Sequence, residues 1–266
     1  MMPVCFVSAG PGAADLITLR GLQRLGEAAV VLHDALTDPL LRAFAPKAEW
    51  IDVGKRGFAH AVRQSEINAL LVRHAQSAPG LVVRLKGGDA SVFGRLEEEL
   101  QALCAAGIAA EVVPGVTAAL AAAAQAQRPL TRRGAGRSVA LSTAMTATDT
   151  PSPAAQALGR GADTEVFYMA GQQLPALRQR LLAAGWSADT PALVVSRAGC
   201  ADALCSPHPL SRLQDAALLH RGRPTVVTLG VGASPLSDVS FAPPATLENP
   251  SPLLESGALF GPHPLP

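Results

Sequence analysis

Nineteen residues, Leu81 to Glu99, about a third of the way along the 266-residue chain, constrain its fold more than any others. Leu81 to Leu85 form a short apolar, strand-forming run, Gly87-Gly88-Asp89 interrupt it, and an amphipathic segment opens at Arg95-Leu96-Glu97-Glu98-Glu99. This order predicts a strand, a turn and a helix. Two adjacent glycines let a ligand approach the main chain with no Cβ in the way. An acid at that point stands at the carboxyl end of a strand, where open α/β sheets bind their ligands. A tight βα turn with Asp89 capping the helix accounts for the same residues equally well.

The rest of the chain repeats that alternation. Val4 to Val7 reads as a strand running into Gly10-Pro11-Gly12, and Thr18 caps a helix with Leu19, Leu22 and Leu25 on one face. A second strand, Ala29 to His33, ends at Asp34. Asp38-Pro39 opens a short helix through Phe44, Trp50 to Val53 is a third strand, and Ser65 caps a helix with Ile67, Leu70, Leu71 and Ala75 on one side. After the central loop, Leu96 to Ala106 is helical, Glu111 to Val113 is a strand, and an alanine-rich helix opens after Pro114-Gly115 with Thr117 at its start. The second half holds strands at 138–142, 165–169, 192–196 and 225–229, with helices at 175–184 and 210–220. The expected fold is α/β in two domains, residues 1–114 and 115–232. Residues 145–163 read as a long loop, and residues 233–266 as an irregular tail with eight prolines.

Composition narrows the function classes. A formal charge of +1 argues against a general nucleic-acid or membrane-surface binder. The amino terminus shows no basic region ahead of a long apolar run, so neither a signal peptide nor a membrane span is expected. Cys5, Cys104, Cys200 and Cys205 lack metal-ligand spacing, so buried free thiols in a reducing cytoplasm are expected and no metal site is. All but three of the 22 basic residues other than histidine are arginine. That bias suits a polyanionic ligand and equally suits a GC-rich genome.

Two familiar ligand motifs are incomplete, the first a distant alternative and the second failing outright. Gly10-Pro11-Gly12 suggests a dinucleotide loop, but Asp15 occupies the place of the third glycine and Pro11 lacks the amide that a pyrophosphate needs. Gly54-Lys55 suggests a phosphate loop, but Arg56 stands where Ser or Thr is required. Without family knowledge, the strand ends at Gly10 to Gly12, Asp34, Lys55, Gly87 to Asp89, Thr117 and Met169 form one candidate cleft for a ligand of open class.

The string Arg84-Leu85-Lys86-Gly87-Gly88-Asp89 with Val92-Phe93-Gly94-Arg95 resembles the signature loop of the tetrapyrrole methylases. Ala9-Gly10-Pro11-Gly12 and Arg223 to Gly230 are similar to that family's opening and closing segments. The resemblance covers about residues 4–231. It implies two α/β domains with S-adenosyl-L-methionine between them, a homodimer, and methyl transfer to a ring carbon of uroporphyrinogen III, giving precorrin-2. Carried over by motif, Pro11, Gly87, Gly88, Asp89, Val92, Thr117, Ala118, Met169 and Ala198 would contact the cofactor. Asp34 would accept a proton and Lys55 donate one. Arg20, Arg84, Arg95, Arg132 and Arg133 are candidates for the substrate's carboxylates.

The sequence departs from the family pattern at Ala13, His33, Ala35, Ala90, Leu96, Thr143-Ala144-Met145 and the segment 58–60, mostly on the acceptor side. Methylation of another precorrin or tetrapyrrole, a non-catalytic binding paralogue and, more distantly, a nicotinamide-dependent oxidoreductase remain alternatives.

Overall fold

The computed structural model describes residues 3–54, 63–145 and 161–236. Lys55, the segment 58–60, most of the expected 145–163 loop and nearly all of the proline-rich tail lie outside the described residues.

The first half is a five-stranded parallel sheet. Its strands are β1 (Val4–Ser8), β2 (Ala28–His33), β3 (Glu49–Asp52), β4 (Leu81–Lys86) and β5 (Ala110–Val113), in the order β3-β2-β4-β1-β5. Strands buried on both faces read as continuous apolar runs, as β1 and β2 do. The period-two alternation then sorts their side chains. Val4, Phe6, Val30, Leu32 and Val82 pack against Ile67, Leu71 and Leu103, which lie on α2 (Gln64–Ser77) and α3 (Leu96–Ala105). Cys5, Val7, Val31, Val83 and Leu85 pack on the opposite face, against Leu25 of α1 (Leu19–Gly26) and Leu41. All five strands are parallel, so their carboxyl ends lie at one edge. Ser8, His33, Asp52, Lys86 and Val113 mark that edge.

The second half is a mixed sheet in the order β6-β7-β10-β8-β9. Its strands are β6 (Val139–Thr143), β7 (Thr164–Tyr168), β8 (Pro191–Ser196), β9 (Leu204–Pro209) and β10 (Thr225–Gly230). β10 runs antiparallel to both β7 and β8, so β6, β7 and β8 point the same way. One face carries Leu174, Leu177 and Leu181 of α5 (Leu174–Ala183); each such leucine contributes about 1.5–3 kcal/mol by leaving water. The other face packs Val166, Leu193, Val195 and Val226 against Ala119, Ala121 and Ala122 of α4 (Ala118–Gln125).

The local signals placed most of these elements. Thr18 Oγ1 accepts from Gly21 N at 3.1 Å, and Asp38 Oδ1 accepts from Leu40 N at 2.9 Å, so these two expected caps form; Ser65 is not a cap, because α2 begins one residue earlier with Arg63 at its N-cap. Gly107 and Gly185 end α3 and α5 with φ of +68° and +87°, values a side chain would strain. β9 has no counterpart in the expected strands. It contains Pro207 and Pro209, which an edge strand tolerates and a central one does not. The segment expected as a helix over 210–220 is a 3-10 helix over Leu210–Ala217 with a kink at Arg212.

Candidate active site

The Gly87-Gly88-Asp89 loop continues β4 and is bound to the loop after β1. Gly10 N donates to Gly88 O at 3.2 Å, and Gly88 N donates to Gly10 O at 2.9 Å. Gly88 has φ of +69°, and no described atom stands within 4 Å of where its Cβ would be. A side chain there would be strained by the backbone conformation, while the space beside it is open. Ser8 Oγ accepts from Ala90 N at 3.0 Å and anchors the far side of the loop.

Asp89 does not cap α3. The residue before that helix is Arg95, in a left-handed conformation with no side-chain cap bond. Asp89 Oδ1 accepts from Ser91 N at 2.8 Å and from the Ser91 hydroxyl, while Oδ2 accepts from Gly115 N at 2.8 Å. Partial burial raises the Asp89 pKa, and the hydrogen bonds from Ser91 and Gly115 outweigh it, so the carboxyl stays below its ordinary value. Asp89 thus ties the central loop to the segment that leads into the second half.

Three further contacts join the halves at this edge. Ala13 N donates to Gly199 O at 3.2 Å, beyond the end of β8. Val92 packs into the cluster that contains Tyr168 and Ala198. The Phe93 ring lies 5.0 Å from the Tyr168 ring. Thr117 precedes α4 as expected but does not cap it through its side chain. Its Oγ1 lies 2.7 Å from Tyr168 Oη, which also accepts from Ala119 N at 3.3 Å. Pro11, Gly87, Gly88, Asp89, Val92, Thr117, Ala118, Met169 and Ala198 therefore lie on segments that meet at the carboxyl ends of β1, β4, β7 and β8.

Backbone strain concentrates here too. Phe93, Arg95, Met169 and Arg197 all have φ between 52° and 55°, and Gln127 is the one other non-glycine residue with positive φ among the described residues. Each such residue costs on the order of 1–3 kcal/mol and persists where surrounding contacts enforce it.

Asp34 begins the loop after β2. Its backbone is fixed by Asp34 N to Leu85 O at 3.1 Å and by Thr37 Oγ1 donating to Asp34 O at 2.8 Å. Its carboxylate meets Arg84 Nη2 at 2.6 Å through Oδ1 and Gly87 N at 3.4 Å through Oδ2. A cavity of about 320 Å³ adjoins it, lined in part by His33, Ala35, Thr37, Arg42 and Trp50. A larger cavity of about 470 Å³, lined in part by Asp163, Trp186, Pro191 and Gly230, lies at the opposite end of the second sheet, where β7 and β8 begin. No strand-end loop of the candidate site reaches it.

Two of the five arginines expected to meet substrate carboxylates are committed elsewhere. Arg84 has 2% of its side chain exposed and is paired with Asp34 and Glu99, because its place in β4 turns it toward α3 and away from the cleft. Arg132 donates to the carbonyls of Ser234 and Pro235 and braces the end of the second sheet. Arg20, Arg95 and Arg133 are exposed. Ser8, Glu99 and Tyr168 were missed. Glu99 was hidden in a run of three glutamates whose first two face solvent, and Tyr168 at the end of a buried strand, Thr164–Tyr168, where nothing local marks its hydroxyl.

Among the described residues, no group of three His, Cys, Asp or Glu side chains could hold a metal, and no helix is long and apolar enough to cross a membrane.

The sequence model of the family described as Tetrapyrrole (Corrin/Porphyrin) Methylases matches residues 3–229. The chain is 44% identical over 230 residues to siroheme synthase 1 of Pectobacterium atrosepticum, covering 86% of this chain and 47% of that protein. It is 46% identical over 215 residues to siroheme synthase 1 of Serratia proteamaculans, covering 80% and 45%. The chain thus spans about half the length of the curated relatives it matches. Among solved structures, it is similar to uroporphyrin III C-methyl transferase from Thermus thermophilus complexed with S-adenyl homocysteine. That similarity has a TM-score of 0.74 at 36% identity, covering 86% of this chain and 97% of that one. A cobalt precorrin-4 methyltransferase gives a TM-score of 0.76 at 28% identity, covering 88% and 97%.

Proposed function

Because the chain belongs to the tetrapyrrole (corrin/porphyrin) methylases, we propose that it transfers methyl groups from S-adenosylmethionine to ring carbons of uroporphyrinogen III, giving precorrin-2. The observation that carries this reading is the open peptide backbone of Gly88 at the tip of β4, in a loop that Asp89 ties to Gly115, ahead of α4. Those residue types fit the cofactor. Its adenosine and methionine ends need polar groups reached at close range, and Gly87 and Gly88 let them approach the main chain with no side chain in the way, beside Asp89, Thr117 and Ala118. Pro11, Val92, Met169 and Ala198 complete the proposed pocket.

When bound, the cofactor supplies an electrophilic methyl on a sulfonium centre. The chain's own residues do the rest. The loops at the carboxyl ends of both sheets hold the acceptor carbon and the methyl in line, which lowers the barrier by removing translational and rotational freedom in advance. Asp34, held at its backbone and at both carboxylate oxygens, accepts the proton that the methylated ring must lose, and Lys55 donates one. Arg20, Arg95 and Arg133 bind substrate carboxylates.

We read the working state as a homodimer in the cytoplasm. The edge strand β6 presents Val139 and Leu141 partly exposed, with Leu120 and Met145 exposed as well, and such surface favours a partner. The four cysteines are free thiols, which suits a reducing compartment, although only Cys5 is buried as expected; Cys200 is half-buried and Cys104 and Cys205 are exposed.

The test is incubation with methyl-labelled S-adenosylmethionine and enzymatically made uroporphyrinogen III. Label is expected in the tetrapyrrole and is expected to disappear with Asp89→Ala. Label entering only a later precorrin would replace the acceptor. Tight cofactor binding with no transfer to any tetrapyrrole would refute the enzymatic reading.

A further inference from the structure

Four charged side chains form a connected group beneath the candidate site. Arg84 Nε and Nη2 donate to Glu99 Oε2 and Oε1 at 3.1 and 3.3 Å, and Arg84 Nη1 donates to the carbonyls of Leu85 and Leu32 at 3.2 and 3.4 Å. Lys86 Nζ donates to Glu99 Oε1 at 2.8 Å, and Gln64 Nε2 donates to the same oxygen at 3.1 Å. Arg84, Lys86 and Glu99 have 1–3% of their side chains exposed, whereas Asp34 has 33%. The group carries two positive and two negative charges and is neutral as a whole.

Packing alone does not call for such a group. The position between Val82 and the helices α2 and α3 suits an aliphatic residue, and replacing buried ion pairs with apolar residues is often neutral or stabilising. Burial works against the charged Arg84, but the carboxylates of Asp34 and Glu99 outweigh it and hold the guanidinium above its ordinary pKa. Lys86 is pulled below its ordinary value, first by burial and then by Arg84, with Glu99 opposing. Arg84 is therefore the fixed cation of the group. Its planar fork is held along one edge by Glu99 and at Nη1 by two carbonyls, which leaves no rotational freedom at Nη2. That nitrogen contacts Asp34, the one member of the group that reaches the open side.

Resting on the reading of Asp34 as the proton acceptor, we propose that Arg84 is the positioning residue for that reaction. With Glu99 behind it, Arg84 holds the Asp34 carboxylate in a single orientation beside the Gly87 amide, so that the acceptor oxygen is preset against the bound tetrapyrrole. Arg84 itself touches no substrate.

The test uses three variants, each measured for melting temperature, S-adenosylhomocysteine affinity, and kcat and KM for uroporphyrinogen III. Asp34→Asn tests the parent reading: kcat is expected to collapse, and an unchanged kcat overturns the role of Asp34 and this proposal together. Arg84→Met/Glu99→Gln removes one charge of each sign and leaves Asp34 and Lys86 to balance. Its melting temperature is expected to fall, because Lys86 stays buried without its Glu99 partner, but cofactor affinity is expected to stay near the parent value while kcat, measured well below that melting temperature, falls roughly 100-fold, the loss typical of about 1 Å of misplacement. Parental kcat in that variant, with Asp34→Asn inactive, overturns the positioning role alone. Should the double variant not fold, Arg84→Lys decides. It keeps the charge and loses the fork, so kcat is expected to fall at least about tenfold, below the ~10²–10⁴ contributed by general acid–base catalysis. KM and cofactor affinity are expected to hold, and an unchanged kcat overturns the proposal.

Discussion

Removing the Tyr168 hydroxyl probes how the second half is joined to the candidate site. That oxygen lies 2.7 Å from Thr117 Oγ1 and accepts from Ala119 N at 3.3 Å. Tyr168, Thr117 and Ala119 are 8%, 9% and 0% exposed, so water does not readily replace the lost partner. Tyr168→Phe gives up one good hydrogen bond, a net loss of about 1 kcal/mol, and strands buried polar groups at about 1–3 kcal/mol, less for the long contact. We expect a destabilisation of about 2 kcal/mol, or about 4–8 °C in Tm for a chain of this size. The Phe93 and Tyr168 rings remain able to pack, so the loss belongs to the hydroxyl. The assay is a double-mutant cycle by thermal melting with Thr117→Val. Each single variant destroys the same bond, so the double variant should fall short of the sum by about 1 kcal/mol. S-adenosylhomocysteine affinity should weaken in all three variants, because the bond sets the start of α4. Additivity within about 0.5 kcal/mol would refute the direct coupling of Thr117 to Tyr168.

His220 is fully buried between the Ser196 and Ser206 hydroxyls at 2.8 and 2.9 Å, and burial, then His208 and Arg223, hold its pKa below the ordinary 6.5. A depressed folded pKa means stability present above pH 6.5 and lost as pH falls through the folded value. Tm should therefore decline from pH 7.5 to 5, with His220→Gln flattening the decline; an equal slope in both proteins contradicts this. Gln127 follows α4 with φ of 52°, so Gln127→Gly should stabilise by about 0.5–1 kcal/mol after glycine's own entropic cost, with methyl transfer unchanged. A lower Tm would count against strain at that position. Size-exclusion chromatography with light scattering checks the dimer, and a monomer at micromolar concentration would remove it.

How far the sequence revealed the fold depended on how local each signal was. Thr18, Asp38, Gly107 and Gly185 act within a few residues of themselves, so their helix ends were legible. The parallel first sheet was legible for a related reason, because strands covered on both faces must be continuously apolar. β9 was not, since prolines that forbid a central strand are admissible at an edge that only the tertiary order reveals. The fate of Arg84 depended on a partner fifteen residues away on another element, and on which face of β4 it took. Read from spacing, it was one more arginine for a polyanionic substrate. The structure buries it, and its contact with Asp34 gives it a different part. The glycine loop was readable as a candidate ligand site from chemistry alone, but the ties Asp89–Gly115, Thr117–Tyr168 and Phe93–Tyr168 join residues 26 to 75 positions apart and could not be read from order.

The most direct measurement is a crystal structure of the protein with S-adenosylhomocysteine. The thioether and its attached groups should lie against the peptide backbone of residues 87 to 89 and the start of α4, between the two sheets. Density for the ligand at the far end of the second sheet, in the cavity near Asp163 and Trp186, would contradict a methyl-transfer site built on the open glycine loop.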